Sequence, residues 1–265
     1  ATPIGNLSHL SPRAAAVLAS AYAIAAEDSR VTARLLRHLG IKRPMIPYHD
    51  HNADSVRPGL VARLGSEVVA LVSDAGTPLI SDPGYKLVRD ARAAGHRVTA
   101  LPGPCAMIAG VTLAGLPTDR LLFVGFLPSK AAAREAAIAE IAGVRATLAI
   151  YESGPRLGAT LAALATVLGP RPAAVTRELT KLHEEVVSGT LAELAERYAT
   201  MPPRGEITLV VGPPVPDNGP IDIDGALVEA LSRLSPAQAA AEVARASGQD
   251  RRTLYARALT LKNRG

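Results

Sequence analysis

Three clusters in this 265-residue chain set acids, bases and hydroxyls at spacings that suit a small-molecule site. The first is Ser73-Asp74-Ala75-Gly76-Thr77-Pro78, continuing through Leu79-Ile80 into Ser81-Asp82-Pro83-Gly84. Gly76 and Gly84 permit positive φ or close approach of backbone to a ligand, while Pro78 and Pro83 fix φ beside them. Asp74 and Asp82 either brace this loop or reach a ligand. The second cluster, Glu27-Asp28-Ser29-Arg30, joins acid and base, and reads equally well as a helix start with Asp28 capping and Arg30 in solvent. In the third, Arg177, Glu178, Lys181 and Glu184 form either a solvated, salt-bridged edge or the wall of a cleft. Pro102-Gly103-Pro104-Cys105 is a further breaker-rich stretch. Cys105 near a helix N-terminus reads as a structural thiol, since no partner base accompanies it. His49, His51 and Asp54 lack the spacing of a zinc site, and no metal is expected.

The elements around these clusters alternate. Residues 68–72 read as a buried strand, and residues 85–94 as a helix with Leu87, Val88 and Ala91 on one face. The 73–84 loop therefore hangs off the carboxyl end of a strand, where open α/β sheets bind ligands. It is longer than the roughly two to six residues of a plain connection. Ser11-Pro12 opens a helix whose apolar face is Val17, Leu18, Ala21 and Tyr22. Residues 24–26 and 45–48 are short strands, and Val31, Leu35, Leu36 and Leu39 make a helical face ended by Gly40. A helix over 56–64 and a strand over 97–101 follow, the latter running into Pro102 and a helix from Cys105. If the sheet is parallel, the 73–84 and 102–105 breaks stand side by side and a small organic ligand lies across both.

Residues 115–119 read as a domain linker. Beyond it, strands over 121–127, 147–151, 173–176 and 207–211 alternate with helices over about 130–141, 157–168 and 191–198, predicting a second α/β domain. Lys130 and Arg134 sit one turn apart. Residues 213–220 are a Pro-rich linker, followed by helices in which Leu227, Ala230, Leu231 and Leu234 share a face. From 245 on, Arg245, Arg251, Arg252, Arg257, Lys262 and Arg264 face one acid, Asp250, a bias that suits either a nucleic-acid footprint or a solubilising cap.

Composition is 48% hydrophobic but only 3% aromatic, so the cores are built from Ala, Val and Leu. The single Cys excludes an internal disulfide and suits a reducing cytoplasm. No apolar run is long enough for a membrane span. The net charge of +5 weakly favours an anionic partner.

Seven blocks in order resemble the tetrapyrrole methylase-like superfamily, and more narrowly its bacterial 16S ribosomal RNA (cytidine-2'-O)-methyltransferase branch. They are Ala1-Thr2-Pro3-Ile4-Gly5-Asn6-Leu7, Glu27-Asp28-Ser29-Arg30, Ser73-Asp74-Ala75-Gly76-Thr77-Pro78, Ser81-Asp82-Pro83-Gly84, Pro102-Gly103-Pro104, Gly125-Phe126-Leu127-Pro128 and Arg177-Glu178-Leu179-Thr180-Lys181. The family usually carries a full hydrophobic strand ahead of the first block. Ser29 stands where the branch usually has Thr, and Tyr151-Glu152-Ser153-Gly154-Pro155-Arg156 where it has Tyr-Glu-Ser-Pro-His-Arg. No Gly-x-Gly-x-x-Gly fingerprint supports the usual Rossmann readings.

The resemblance implies two α/β domains, over 1–115 and 120–212, with S-adenosylmethionine in the cleft between them, plus a small basic helix-turn-helix-like domain over 222–265. It implies a homodimer acting on ribosomal RNA of the small subunit. Expected cofactor residues are Pro3, Ser73, Asp74, Ala75, Gly76, Leu79, Pro102, Gly103, Cys105, Tyr151, Arg177 and Glu206. Lys181 is the expected catalytic group, as a desolvated base or as a charge steadying an alkoxide, with Glu178 beside it. Asp28, Arg30, Arg134, Arg251, Arg252, Arg257 and Lys262 are expected on the RNA side. A C-methyltransferase acting on a tetrapyrrole-like molecule and a non-catalytic ribosome-associated module are the competing readings.

Overall fold

The computed structural model describes residues 1–214 and 222–262. Most of the 213–220 linker, and Arg264, lie outside the described residues. The chain divides into two compact units, Ala1–Pro214 and Val215–Gly265.

The first unit begins with α1 (Pro12–Ser20), where the Ser11 hydroxyl accepts the Ala14 N–H at 3.1 Å. Then come β1 (Ala23–Ala26), α2 (Ser29–His38), β2 (Met45–Pro47), α3 (Ala53–Arg63), β3 (Val69–Val72), α4 (Tyr85–Ala93) and α5 (Ala106–Ala114). The three strands make a parallel sheet in the order β2-β1-β3. Successive side chains of a strand face opposite sides. Accordingly Ile24 and Ala26 of β1 pack with Leu18, Leu35, Leu36 and Val72, while Ala25 packs with Tyr48, Leu60 and Leu87.

Three sequence expectations fail here. Only Val72 of the 68–72 run is buried, and Val68 is 62% exposed, because β3 is a sheet edge. Residues 97–101 form no strand: they share no ladder, Val98 is exposed, and the Leu101 carbonyl accepts instead from the Ala1 nitrogen at 3.3 Å. Tyr22 lies past the end of α1, exposed, with the Arg63 guanidinium over its ring.

The chain continues through β4 (Leu121–Phe126), α6 (Ala131–Ile141), β5 (Thr147–Ser153), α7 (Gly154–Leu168), β6 (Pro172–Arg177), β7 (Glu185–Thr190), α8 (Leu191–Thr200) and β8 (Glu206–Val211). These strands form a mixed sheet in the order β4-β5-β8-β6-β7. β4 runs parallel to β5, and every other pairing is antiparallel. β7 escaped the sequence reading. On one face Leu148, Ile150 and Leu209 pack with Leu157, Leu161 and Leu194 of the helices. On the other, α5 lays Val111 and Ala114 against Ala149, Ala174 and Val210. Gly110 permits this approach, since a Cβ there would lie 2.7 Å from Thr208 Cγ2 and 2.9 Å from Thr176 Oγ1.

In the second unit, α9 (Ile223–Leu231), α10 (Pro236–Ser247) and α11 (Arg251–Lys262) close around Leu227, Ala240, Val243 and Leu254. Gly248 ends α10 at φ 69°, and Asp250 caps α11 by accepting the Thr253 N–H at 2.9 Å. No helix among the described residues is long and apolar enough to cross a membrane.

Candidate active site

Within the first unit, a cavity of about 410 Å³ opens where the two sheets present their loop-bearing ends. β1 delivers Glu27 there, the loop after β3 delivers Asp74 to Asp82, and the start of α5 delivers Cys105 and Ala106. From the second sheet come Phe126 at the end of β4, Tyr151 to Ser153 at the end of β5, and Glu178 to Lys181 after β6. β8 runs antiparallel to β5 and β6, so its first residues, Glu206 to Thr208, reach the same edge. A volume in the range of roughly 300–1,000 Å³ with a few convergent polar groups is typical of small-molecule sites.

The 73–84 loop is built rather than slack. Thr2 and Gly76 exchange backbone hydrogen bonds of 2.8 and 3.1 Å, and the Thr77 hydroxyl donates to the Pro104 carbonyl at 2.9 Å. Asp74 Oδ1 accepts the Asp28 N–H at 2.9 Å, tying this loop to the end of β1. Gly76 takes φ 85°, and a Cβ there would press on Ile4 Cγ2 at 3.3 Å. Leu79 and Ser81 also take positive φ, 74° and 63°, without the relief glycine has. Such strain persists where surrounding structure enforces it, and it concentrates at ligand sites.

The opposite wall is fixed by buried polar bonds. Glu152, almost fully buried, accepts from Thr160 Oγ1 at 2.7 Å and from the Ser153 N–H at 2.8 Å, with the Arg156 guanidinium 3.3 Å away. Arg156 in turn donates to the Leu127 carbonyl at 2.6 Å. Gly154 starts α7 against the Pro203 carbonyl, leaving no room for a Cβ. Tyr151 meets Phe123 and Phe126 at ring-centroid distances of 5.0 and 5.6 Å, and its Oη accepts the Met107 N–H at 3.0 Å.

The cavity lining carries six acidic residues and one cation, Lys181. On the first-sheet side Glu27, Asp74 and Asp82 gather. Burial, then the repulsion of Asp82, Asp74 and Asp50, raises the Glu27 pKa, and burial, with Asp74 adding to it, raises that of Asp82. On the second-sheet side Lys181 Nζ donates to Glu178 Oε1 at 3.0 Å, with Glu206 Oε2 at 3.6 Å. Burial alone would lower the lysine pKa, but the Glu178 hydrogen bond and the two carboxylate charges outweigh it and raise it. The two carboxylates thus favour the charged form of Lys181. Glu178 and Thr180 hold positive φ of 51° and 66° in the loop that aims it. Asp28, hydrogen-bonded by the Arg30 side chain and N–H, is held down at about 2.

Of the expected cofactor residues, Asp74, Ala75, Gly76, Cys105, Tyr151 and Glu206 line this cavity, together with Glu178 and Lys181. Pro3 and Ser73 line a second cavity of about 230 Å³ that shares Asp74 with the first. Leu79, Pro102 and Gly103 line neither cavity, and Arg177 is taken by an ion pair with Glu185 across β6 and β7. Arg134 does not belong to an exposed basic face. It is buried on α6 and donates to the Ser129 carbonyl at 3.2 Å, so its charge serves the fold. In the helical unit Arg251, Arg252 and Lys262 are exposed, while Arg257 is paired with Asp224 through a 2.8 Å bond. Ile4, Phe126, Glu152 and Thr208 are lining residues the sequence did not single out. All but Thr208 stood inside quoted blocks, as did the lining acids Glu27 and Asp82. Among the described residues no group of three or more His, Cys, Asp or Glu is arranged to hold a metal ion.

Residues 1–195 match the family model of Tetrapyrrole (Corrin/Porphyrin) Methylases, and residues 217–262 match that of the RsmI C-terminal HTH domain. A ribosomal RNA small subunit methyltransferase I from Erythrobacter litoralis is 53% identical over 264 residues, covering 99% of this chain and 94% of the relative. The protein of that name from Mesorhizobium japonicum is 46% identical, covering 99% and 91%. Among solved structures, the uroporphyrin-III C-methyltransferase of Thermus thermophilus superposes with TM-score 0.56 at 21% identity, over 80% of this chain and 91% of that one. A crystal structure of that enzyme with S-adenyl homocysteine gives 0.54 at 19% identity, over 78% and 93%. A diphthine synthase gives 0.60 at 14% identity, over 79% and 87%. These structures speak for the fold.

Proposed function

The chain belongs to the family of tetrapyrrole (corrin/porphyrin) methylases, and from that premise we propose that it transfers a methyl group from S-adenosylmethionine to the ribose 2'-hydroxyl of a cytidine in the decoding centre of small-subunit ribosomal RNA. It is an S-adenosylmethionine-dependent methyltransferase of small-subunit rRNA by its full-length relatedness to proteins of that name. The cytidine and its 2'-oxygen are the finer part of the reading.

The observation that carries the reading is the acidic lining of the 410 Å³ cavity, with Lys181 as its one cation. The cofactor is cationic at its sulfur and its amino group, and it supplies an activated methyl on a neutral leaving group. The Glu27, Asp74 and Asp82 side of the cavity fits those positive charges, and Ile4, Ile80, Phe126 and Tyr151 supply apolar surface for its nucleoside. Gly76 and Ala75 offer backbone at close range.

Acceptor chemistry falls to the chain's own groups. Lys181, held as an ammonium by Glu178 and Glu206, steadies charge developing on a hydroxyl oxygen. Glu27 and Asp82, the two carboxyls whose proton affinity is raised, are the groups suited to hold the hydroxyl proton. The strained loops fix both sets before substrate arrives.

The test is incubation with methyl-labelled S-adenosylmethionine and, separately, small ribosomal subunits, free rRNA or a tetrapyrrole. Label in the rRNA, resistant to alkaline cleavage at one cytidine, is the expected result. Label in the macrocycle alone, or none, overturns the reading. Lys181→Ala is expected to keep cofactor affinity and lose most single-turnover transfer. The homodimer is part of the same proposal, and light scattering over a concentration series decides it.

A further inference from the structure

The first unit carries a basic surface that the mechanism above does not use. From Ser29 to His49 the sequence contains Arg30, Arg34, Arg37, Lys42 and Arg43 and no Asp or Glu. All five are exposed. On α2, Arg30, Arg34 and Arg37 follow i, i+4, i+7 spacing, which at 3.6 residues per turn puts them within about 60° of arc. Thr32, Leu35 and Leu36, buried, occupy the opposite side. Arg30 is engaged by Asp28 and Arg43 donates to the Ala19 carbonyl, but Arg34, Arg37 and Lys42 have no ion-pair partner among the described residues. Rises of about 6 and 4.5 Å separate successive arginines along the axis.

This face borders a cavity at its middle arginine, Arg34. The 230 Å³ space is walled by Val31, Arg34 and Leu35 of α2 on one side and by Pro3, Gly5 and Leu7 on the other. Asp74 lines both this space and the larger cavity, and Ile4 faces the larger one while its neighbours Pro3 and Gly5 face this one. The Pro3–Ile4–Gly5 stretch thus borders both.

We propose that the exposed face of α2 is a track for RNA phosphates, and that the smaller cavity beside it receives one unstacked nucleotide of the substrate. The inference rests on the rRNA methyltransferase reading above and names where that substrate lies. Single-stranded RNA is read by taking bases out of the stack into pockets while arginines follow the backbone. Unpaired cations in a row beside a pocket with an apolar wall meet both needs. The shared Asp74 places the nucleotide next to the cofactor cavity.

The experiment compares wild type with Arg34→Gln/Arg37→Gln in binding to small ribosomal subunits between about 50 and 200 mM salt. Two lost phosphate contacts, at about 0.7 each for single strands, make the slope of log K against log salt shallower by about 1.4. S-adenosylmethionine affinity and melting temperature stay unchanged, and Arg34→Lys/Arg37→Lys restores the slope. Equal affinity and slope in the Gln variant overturn the track. So does a salt dependence that survives in that variant yet disappears when residues 215–265 are removed. Failure of wild type to methylate rRNA overturns the functional reading instead, and the two failures are told apart because binding and transfer are measured separately.

Discussion

Gly5→Ala perturbs Lys181, the lysine proposed to act in catalysis, without replacing it. Gly5 has φ 150°, and a Cβ there would lie 2.5 Å from Lys181 Cγ and 2.9 Å from its Cε. Carbon atoms settle at about 3.5–4.0 Å, so the lysine stem must retreat by about 1 Å. Cγ is near the root of the side chain, so the displacement passes to Nζ and stretches the 3.0 Å bond to Glu178. A misplacement of about 1 Å at a reacting centre can cost about 100-fold in rate, equivalent to roughly 2.7 kcal/mol. The backbone conformation adds about 1–3 kcal/mol of strain to the folded state. Single-turnover transfer to small subunits is expected to fall by about two decades, with S-adenosylmethionine affinity by calorimetry nearly unchanged. A folded variant with the wild-type rate would refute both the placement of Lys181 at the reacting oxygen and the argument from the glycine.

The remaining expectations concern charge, packing and the tail. Glu27 has its folded pKa raised above 4.5, so its contribution to stability is fully present below that value and is lost as pH rises through the raised pKa. Glu27→Gln is therefore expected to melt higher than wild type at neutral pH and no differently in acid, while losing methyl transfer; equal melting curves at neutral pH would argue against a desolvated carboxyl. Ionised Glu27 and Asp82 also favour a cationic ligand, so S-adenosylmethionine affinity should rise with pH through the same window, with proton release detectable by calorimetry in buffers of different ionisation enthalpy. Gly110→Ala pushes α5 off the second sheet and should cost about 1–3 kcal/mol by denaturant titration. Removal of residues 215–265 should leave cofactor affinity intact and weaken binding to small subunits. The same affinity and salt slope in a soluble truncated protein would dismiss an RNA role for the helical unit.

Much of the fold was legible because apolar runs between breakers name their own strands. Ile24-Ala25-Ala26, residues 147–151 and residues 207–211 are of this kind, and each became a central strand with buried residues. The failures lie at edges. A strand exists only with a partner, and the local pattern of residues 97–101 does not say whether one is there. β7, Glu185–Thr190, mixes polar and apolar residues because one long edge faces solvent, and no apolar run marks it. Arg134 illustrates the limit for helices: Lys130 and Arg134 look alike in sequence, yet one caps α6 in solvent and the other is buried beneath it. At the site, the 73–84 loop was legible from its glycines and prolines. The positive φ of Leu79, Ser81, Glu178 and Thr180 left no trace, because those residue types do not favour it. Nor did the convergence of Phe126, Glu152 and Thr208, which only the strand order brings about.

That strand order also has a consequence for biosynthesis. β8 is the last strand of its sheet to leave the ribosome, yet it sits between β5 and β6 and pairs with both. Until residue 211 emerges, the nascent chain carries two unpaired apolar edges around a gap, the kind of exposure that invites mispairing and chaperone attention. The two halves of the sheet cannot join early through local contacts, which makes slow, all-or-none closure the expected route. Gly205 to Thr208 also line the cavity. Insertion of the final strand therefore finishes the sheet and the last wall of the binding site in one event, and a partly synthesised chain offers the methyl donor only an unfinished pocket.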